Sequence, residues 1–444
     1  MKIDTGDTAW LLASSALVLL MTPGLAFFYG GMVRVKSVLN MLMMSFGTIA
    51  LVSVLWVIYG YSLAFGTDSF HGLIGDFSHL GLSDTINSTS GTLPMLVFVA
   101  FQLMFAIITP ALISGAIADR AKFGAWMVFV AVWATVVYFP VAHWVFFFDG
   151  GKGGWIGDRL GALDFAGGTA VHINAGAAGL ALALVLGKRH GWPKEQFKPH
   201  NLPLVLLGAG LLWFGWFGFN AGSALAANGQ AAVAFVNTQV ATAGALLAWL
   251  IVEKLRDGHA TTLGAASGAV AGLVAITPAC ASVNPLGAIG VGVAAGALCS
   301  LSVGLKYRLG FDDSLDVVAV HLVGGIVGSL IIGFLATPTV TGILTGNGPA
   351  GLFYGGGLAQ LGKQTIAVVA VASYSFVLTW LIGKAIDKTM GFRIPVEDEV
   401  NGIDTTTHAE SGYDFVGGGG GSAFSPADRA IAAEAHRVGA GKGQ

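Results

Sequence analysis

His172 and His321 lie inside uncharged apolar stretches, each at the same place in a pattern that occurs twice. The pattern is Asp, seven residues, His, three residues, Gly, two residues, Gly. Its copies are Asp164, His172, Gly176, Gly179 and Asp313, His321, Gly325, Gly328, with Ala-Val directly before each histidine. A neutral imidazole carries one donor and one acceptor nitrogen. Two facing rings can therefore share a single proton and leave their other nitrogens to a small polar guest such as ammonia, water or a proton. An ionisable side chain in hydrocarbon is expensive and marks function by default, and matching repeat positions strengthen that reading. His143, in an apolar stretch without a repeat partner, reads as structural.

Aromatic residues form a second constellation. Trp216, Phe219 and Ser223 fall at i, i+3 and i+7 within GWFGFNAGS (215 to 223), one stripe of a helix, and Phe101 and Phe105 are one turn apart. Such stripes more often pack a core than line a pore. Their chemistry nevertheless suits a cation, since a ring face attracts one by about 0.5 to 2 kcal/mol and a hydroxyl oxygen can accept its hydrogen bond. Asp164 and Asp313 each precede their histidine by about two turns, where a carboxylate caps a helix N-terminus. Two cysteines, Cys280 and Cys299, support neither a disulfide nor a zinc framework. Two histidines without a neighbouring carboxylate or thiol fall short of a metal ligand set, so no metal or cofactor is expected.

The elements that position these residues must be membrane helices. Hydrophobic residues make up 55% of the 444 and charged ones 10%, where a soluble domain carries roughly 25% charged residues. A net charge of -2 gives no reason to expect nucleic acid. The polar, acidic start MKIDTGDTAW followed by a run long enough to span argues against a cleaved signal peptide. Apolar runs predict eleven spans, near 9 to 32, 37 to 66, 94 to 118, 123 to 148, 168 to 187, 202 to 226, 232 to 252, 261 to 280, 284 to 305, 316 to 336 and 364 to 387. With the N-terminus outside, the outer side receives only Lys2, Lys152, Arg159 and Lys363, and every other Lys or Arg falls inside, as the positive-inside rule requires.

His172 falls in the fifth span and His321 in the tenth. An odd offset makes the two helices cross in opposite directions, so the repeat is inverted, with both histidines expected near mid-membrane at its interface. The predicted fold is therefore an all-α integral membrane protein with an inverted repeat of five plus five helices, roughly 9 to 187 and 202 to 336, and an added eleventh helix. The membrane domain covers 1 to 388. A cytoplasmic tail, 389 to 444, is foldable at first and flexible after about 416, beyond which come five glycines, 417 to 421. The chain's 66 glycines, many of them inside spans, are expected to let helices approach closely where lipid gives no drive to associate.

The chain resembles the Amt/Mep/Rh ammonium transporter family, bacterial Amt type, over nearly its whole length. The matching segments include TPGLAFFYGG (22 to 31), PVAHWV (140 to 145), GALDFAGGTAVHINAG (161 to 176), GWFGFNAGSA (215 to 224), DVVAVH (316 to 321) and GFRIPVEDEVNGID (391 to 404). The resemblance implies a homotrimer in the cell membrane, with a conduction path through each protomer and no enzymatic activity. It implies His172 and His321 as twin pore histidines, Phe105 and Phe219 as a stacked outer gate, and Trp216 as a pore-lining ring. Ser223 would belong to an external recruitment site supported by Asp164. Where the family usually carries a tryptophan over that site this chain has Phe146, a weaker cation partner, with Trp144 nearby as the ring that could compensate.

A bare ammonium ion in an apolar lumen costs at least several kcal/mol, so losing its proton near the gate is the cheaper route. The expected function is recruitment of ammonium (methylammonium being a further candidate), deprotonation, and conduction of ammonia. An alternative is an ammonium sensor that signals through its tail. The implied partners are the lipid bilayer and a PII-type nitrogen regulatory protein at the cytoplasmic face.

Overall fold

The computed structural model describes residues 2–195 and 197–413. Ten helices in it are long and apolar enough to cross a membrane. They are α1 (Thr5–Met32), α2 (Val35–Phe65), α3 (Met95–Ile117), α4 (Phe123–Phe146), α5 (Gly168–Leu186), α6 (Leu202–Gly222), α7 (Gly229–Asp257), α9 (Pro285–Leu309), α10 (Val318–Leu335) and α11 (Ala359–Thr389). The predicted span 261 to 280 contains a shorter apolar helix, α8 (Thr262–Ile276). It ends early because Thr277 to Val283 turn back on themselves, with Ala279 N–H bonding Ile276 and Val283 N–H bonding Ala279. The last helix begins at Ala359, five residues before the predicted 364.

The repeat is visible in the packing. Its first helices, α1 and α6, lie against each other along their length, and its last, α5 and α10, meet across the middle. Glycine permits both contacts. A Cβ on Gly208 would stand 2.3 Å from the backbone nitrogen of Phe28 in α1. The motif glycines do the same for the histidine helices: a Cβ on Gly176 would lie 2.4 Å from Leu322 N, and one on Gly325 would lie 2.9 Å from Ile173. The pattern that pairs each histidine with a glycine one turn later thus sets how closely the two helices cross.

The N-terminus is fixed at one end of the bundle, where Asp4 N–H bonds Thr92 O and Asp7 accepts from Ala227 N–H. The tail packs at the other end. Its helices Val396–Asn401 and Ile403–His408 are held by Asp404, which accepts from Leu39 and Asn40 N–H, and by Glu399, which accepts from His190 N–H and pairs with Arg393 at 2.7 Å. The glycine run and the terminal stretch expected to be flexible lie outside the described residues.

Candidate functional site

Each histidine occupies a π-helical turn at the start of its helix, His172 in Gly168–Ile173 and His321 in Val318–Val323. Such turns are rare and concentrate at functional sites. Nothing in the hydropathy pattern announces them, yet the repeat conserves the irregularity in both copies. Each is preceded by its aspartate. Asp164 accepts from the N–H groups of Gly167, Gly168, Thr169 and Ala170 and from the Thr169 hydroxyl, and Asp313 accepts from Val318 N–H at 2.7 Å. Both carboxylates therefore cap, satisfying the donors that a helix start leaves open.

Between the two helices the Nδ1 atoms of His172 and His321 stand 3.3 Å apart, so one proton is shared there and one ring donates to the other. Both side chains are buried, and Nε2 of His172 has no hydrogen-bond partner among the described residues. A buried polar atom left open in this way suits a polar guest. The ring of His172 stacks on Trp216 at 5.4 Å between centroids and on Phe219 at 6.0 Å. Trp216 is oriented by its indole N–H, which donates to Thr277 Oγ1 at 2.8 Å.

Phe219 in turn packs on Phe105, with centroids 4.4 Å apart and planes tilted by 43°. Phe101 supports Phe105 edge-on at 4.9 Å. On the far side of Phe105 from this stack lies a cavity of about 450 Å³, opening at the N-terminal end and lined among others by Phe105, Phe146, Asp164 and Ser223. The Ser223 hydroxyl donates to Phe219 O at 2.8 Å. With its proton committed, the oxygen presents lone pairs, which fits it to accept from a cationic N–H.

The eight candidate pore and substrate residues thus form one succession of contacts: Phe146, Asp164 and Ser223 line the cavity with Phe105, Phe105 packs on Phe219, and Phe219 and Trp216 stack on His172, which faces His321. Trp144 is not part of it. Its indole N–H donates to Leu73 O at 2.7 Å, and its ring packs on Tyr374 and Trp155. Phe148 instead joins Phe146 in the cavity wall. His143 is anchored through Nδ1 to Ala64 O at 3.0 Å and stacked on Phe147, outside the cavity lining.

Two further residues were not legible from sequence. Gln364 of α11 brackets the segment carrying Asp164: its side-chain oxygen accepts from Leu163 N–H, and its amide donates to Leu163 O, each at 2.7 Å. Gln360, one turn away, donates to the Gln364 side-chain oxygen. The added helix therefore holds the cavity wall of the first repeat. A glutamine in an apolar helix signals a buried polar contact, but nothing local indicates with what.

Comparison with known proteins adds a family. The model of the Ammonium Transporter Family matches residues 9–413. An ammonium transporter of Mycobacterium tuberculosis is 62% identical over 436 residues, spanning 93% of this chain and 91% of its own. Ammonium transporter Amt1 of Archaeoglobus fulgidus is 44% identical, spanning 93% of this chain and 100% of its own. Among solved structures, Candida albicans Mep2 superposes with a TM-score of 0.84 at 37% identity, over 89% of this chain and 88% of that one. A structure described as a sensor Amt protein superposes with a TM-score of 0.82 at 29% identity, over 90% and 98%.

Proposed function

Since the chain belongs to the ammonium transporter family and is a multi-pass membrane protein, we propose that it recruits ammonium in the cavity above Phe105 and conducts ammonia past Phe105 and Phe219 to His172 and His321. The observation that carries this reading is the unbroken succession of cavity, ring pair and imidazole pair. A cation is served in the cavity by the faces of Phe146 and Phe148 and by the Ser223 oxygen. Below it stand two packed phenyl rings that offer no acceptor. The ion must shed its proton to pass, because no group there replaces its hydration. Ammonia, a neutral dipole, then meets the open Nε2 of His172.

The excess of Lys and Arg at the tail end supports a cytoplasmic tail end and a cavity that opens outside. We also infer a membrane domain over 1 to 388, a homotrimer, which the apolar outward faces of the helices would serve, and a cytoplasmic docking face for a PII-type regulator near the tail.

Reconstituted into proteoliposomes, the full chain should carry a labelled methylammonium flux or an ammonium-triggered current that His172→Ala and His321→Ala strongly reduce. Unchanged transport in both variants would sink the role given to the histidines. The sensor reading draws on the likeness to the sensor Amt protein and on the docked tail. It expects the wild-type protein to bind ammonium without measurable flux.

A further inference from the structure

The cavity above Phe105 is lined by two formally charged side chains, Asp164 and Lys363. Lys363 lies near the start of α11, between the two glutamines that hold the wall, and its Nζ is 3.2 Å from the point where Gly161 would carry a Cβ. It therefore leans over the segment 161 to 164 that leads into Asp164. Arg159, another cation at this end, is held by Asp68 at 2.5 Å, whereas Lys363 has no such partner among the described residues. Asp164 is already committed to the backbone N–H groups of its helix. A site meant only to concentrate a cation would be lined by carboxylate, yet here one negative charge is offset by one positive charge.

Resting on the transport reading above, we propose that Lys363 is a specificity-determining residue of the recruitment cavity, opposing occupancy by the cation and thereby favouring the uncharged form that can pass the phenyl gate. In the balanced step the nitrogen keeps the electron pair of one N–H bond, and the proton leaves to water in the open cavity. Lys363 takes no part in the transfer; its fixed charge destabilises ammonium and leaves ammonia unaffected. The consequence is weaker recruitment at low substrate and a half-saturation that depends on ionic strength.

The test is labelled methylammonium uptake by proteoliposomes holding the full-length protein, at about 10 and about 200 mM salt, which spans weak to strong screening. At low salt Lys363→Gln should lower the half-saturation concentration about 3-fold and Lys363→Glu about 10-fold, the size expected for a charge several ångströms away in a partly hydrated site. Both effects should shrink at high salt, and Lys363→Arg should match the wild type. Lys363→Met, close in length, repeats the neutralisation if Lys363→Gln fails to fold. A half-saturation unchanged in Lys363→Gln and Lys363→Glu, or a shift that salt does not reduce, overturns the inference and leaves transport standing. A wild-type protein without uptake overturns the transport reading and this inference with it.

Discussion

His172 and His321, 149 residues apart in the chain, face each other through Nδ1 atoms 3.3 Å apart, each on a π-helical turn of its own helix. The shared proton makes the pair one unit. Removing either ring leaves the other Nδ1 buried without its partner, a loss of about 1 to 3 kcal/mol. His172→Ala and His321→Ala should therefore each lower ammonium-triggered current about tenfold or more, since 1.4 kcal/mol is one decade. The double variant should fall little further, because the first substitution already breaks the unit. Additive losses in proteoliposome currents would contradict this coupling.

Phe146 and Phe148 are among the five phenylalanines that line the cavity, while Trp144 is turned away to Leu73 O. Restoring the stronger cation partner by Phe146→Trp should lower the half-saturation for methylammonium by about 2- to 5-fold, within the range of ring–cation energies. Uptake measured across substrate concentrations checks it. An unchanged half-saturation would show that the wall does not bind the cation through its rings.

Gln364 holds the backbone of Leu163 by two hydrogen bonds of 2.7 Å. Gln364→Ala leaves the part-buried N–H and C=O of Leu163 without their side-chain partner and should destabilise the protein by about 1 kcal/mol. It should also raise the half-saturation, since the segment leading to Asp164 loosens. Thermal unfolding in detergent and uptake assays report the two effects separately. A variant as stable as the wild type would show that water or a neighbour replaces the clamp.

Gly176 faces Leu322 N at 2.4 Å from where its Cβ would stand. Gly176→Ala must push α5 away from α10, at a cost of about 1 to 3 kcal/mol for overpacking. It should reduce both thermal stability and transport, because the imidazole pair widens with the helices. Gly210, which has open space around its Cβ position, is the control. Equal behaviour of Gly176→Ala and Gly210→Ala in thermal unfolding would contradict the close crossing.

Burial, with the Asp316 charge adding to it, pushes the Asp313 carboxyl from the usual 3.8 up to about 6, against the pull of Lys306. A raised carboxyl pKa means that the folded state holds the proton more tightly than the unfolded chain. This group's contribution to stability is therefore greatest below pH 4 and is lost as pH rises through about 6. Asp313→Asn keeps an acceptor for Val318 N–H and does not ionise. Relative to wild type, its unfolding temperature should rise between pH 4.5 and 7. A difference between the two that stays flat across that window would contradict the assignment.

The membrane class, the helix positions to within a few residues and the paired histidine motif were legible along the chain, because hydropathy and repetition act locally and leave a periodic trace. Phe105, Phe219 and Ser223 were picked out through the family motifs rather than through spacing, since an aromatic stripe looks the same on a core as in a pore; the structure shows the two rings packed together. Three features escaped. The π turns leave no trace in the hydropathy pattern. Trp144 turned away because its indole N–H found Leu73 O, 71 residues earlier. Lys363 reached the cavity, and Gln364 reached Leu163 in its wall, 201 residues away in the chain.

The amino-acid sequence by itself determined that this chain spans a membrane, that its halves are inverted copies, and which two histidines the inversion brings to the middle. Only the tertiary structure decided the 3.3 Å approach of those rings, the packing of Phe105 on Phe219, and the charge and clamp that α11 adds to the cavity. The physical reason is that apolar patterning selects lipid or protein as a helix's surroundings and says little about distance. Distance is set where backbones touch through glycine and where buried polar groups must find partners, and both are properties of the packed whole.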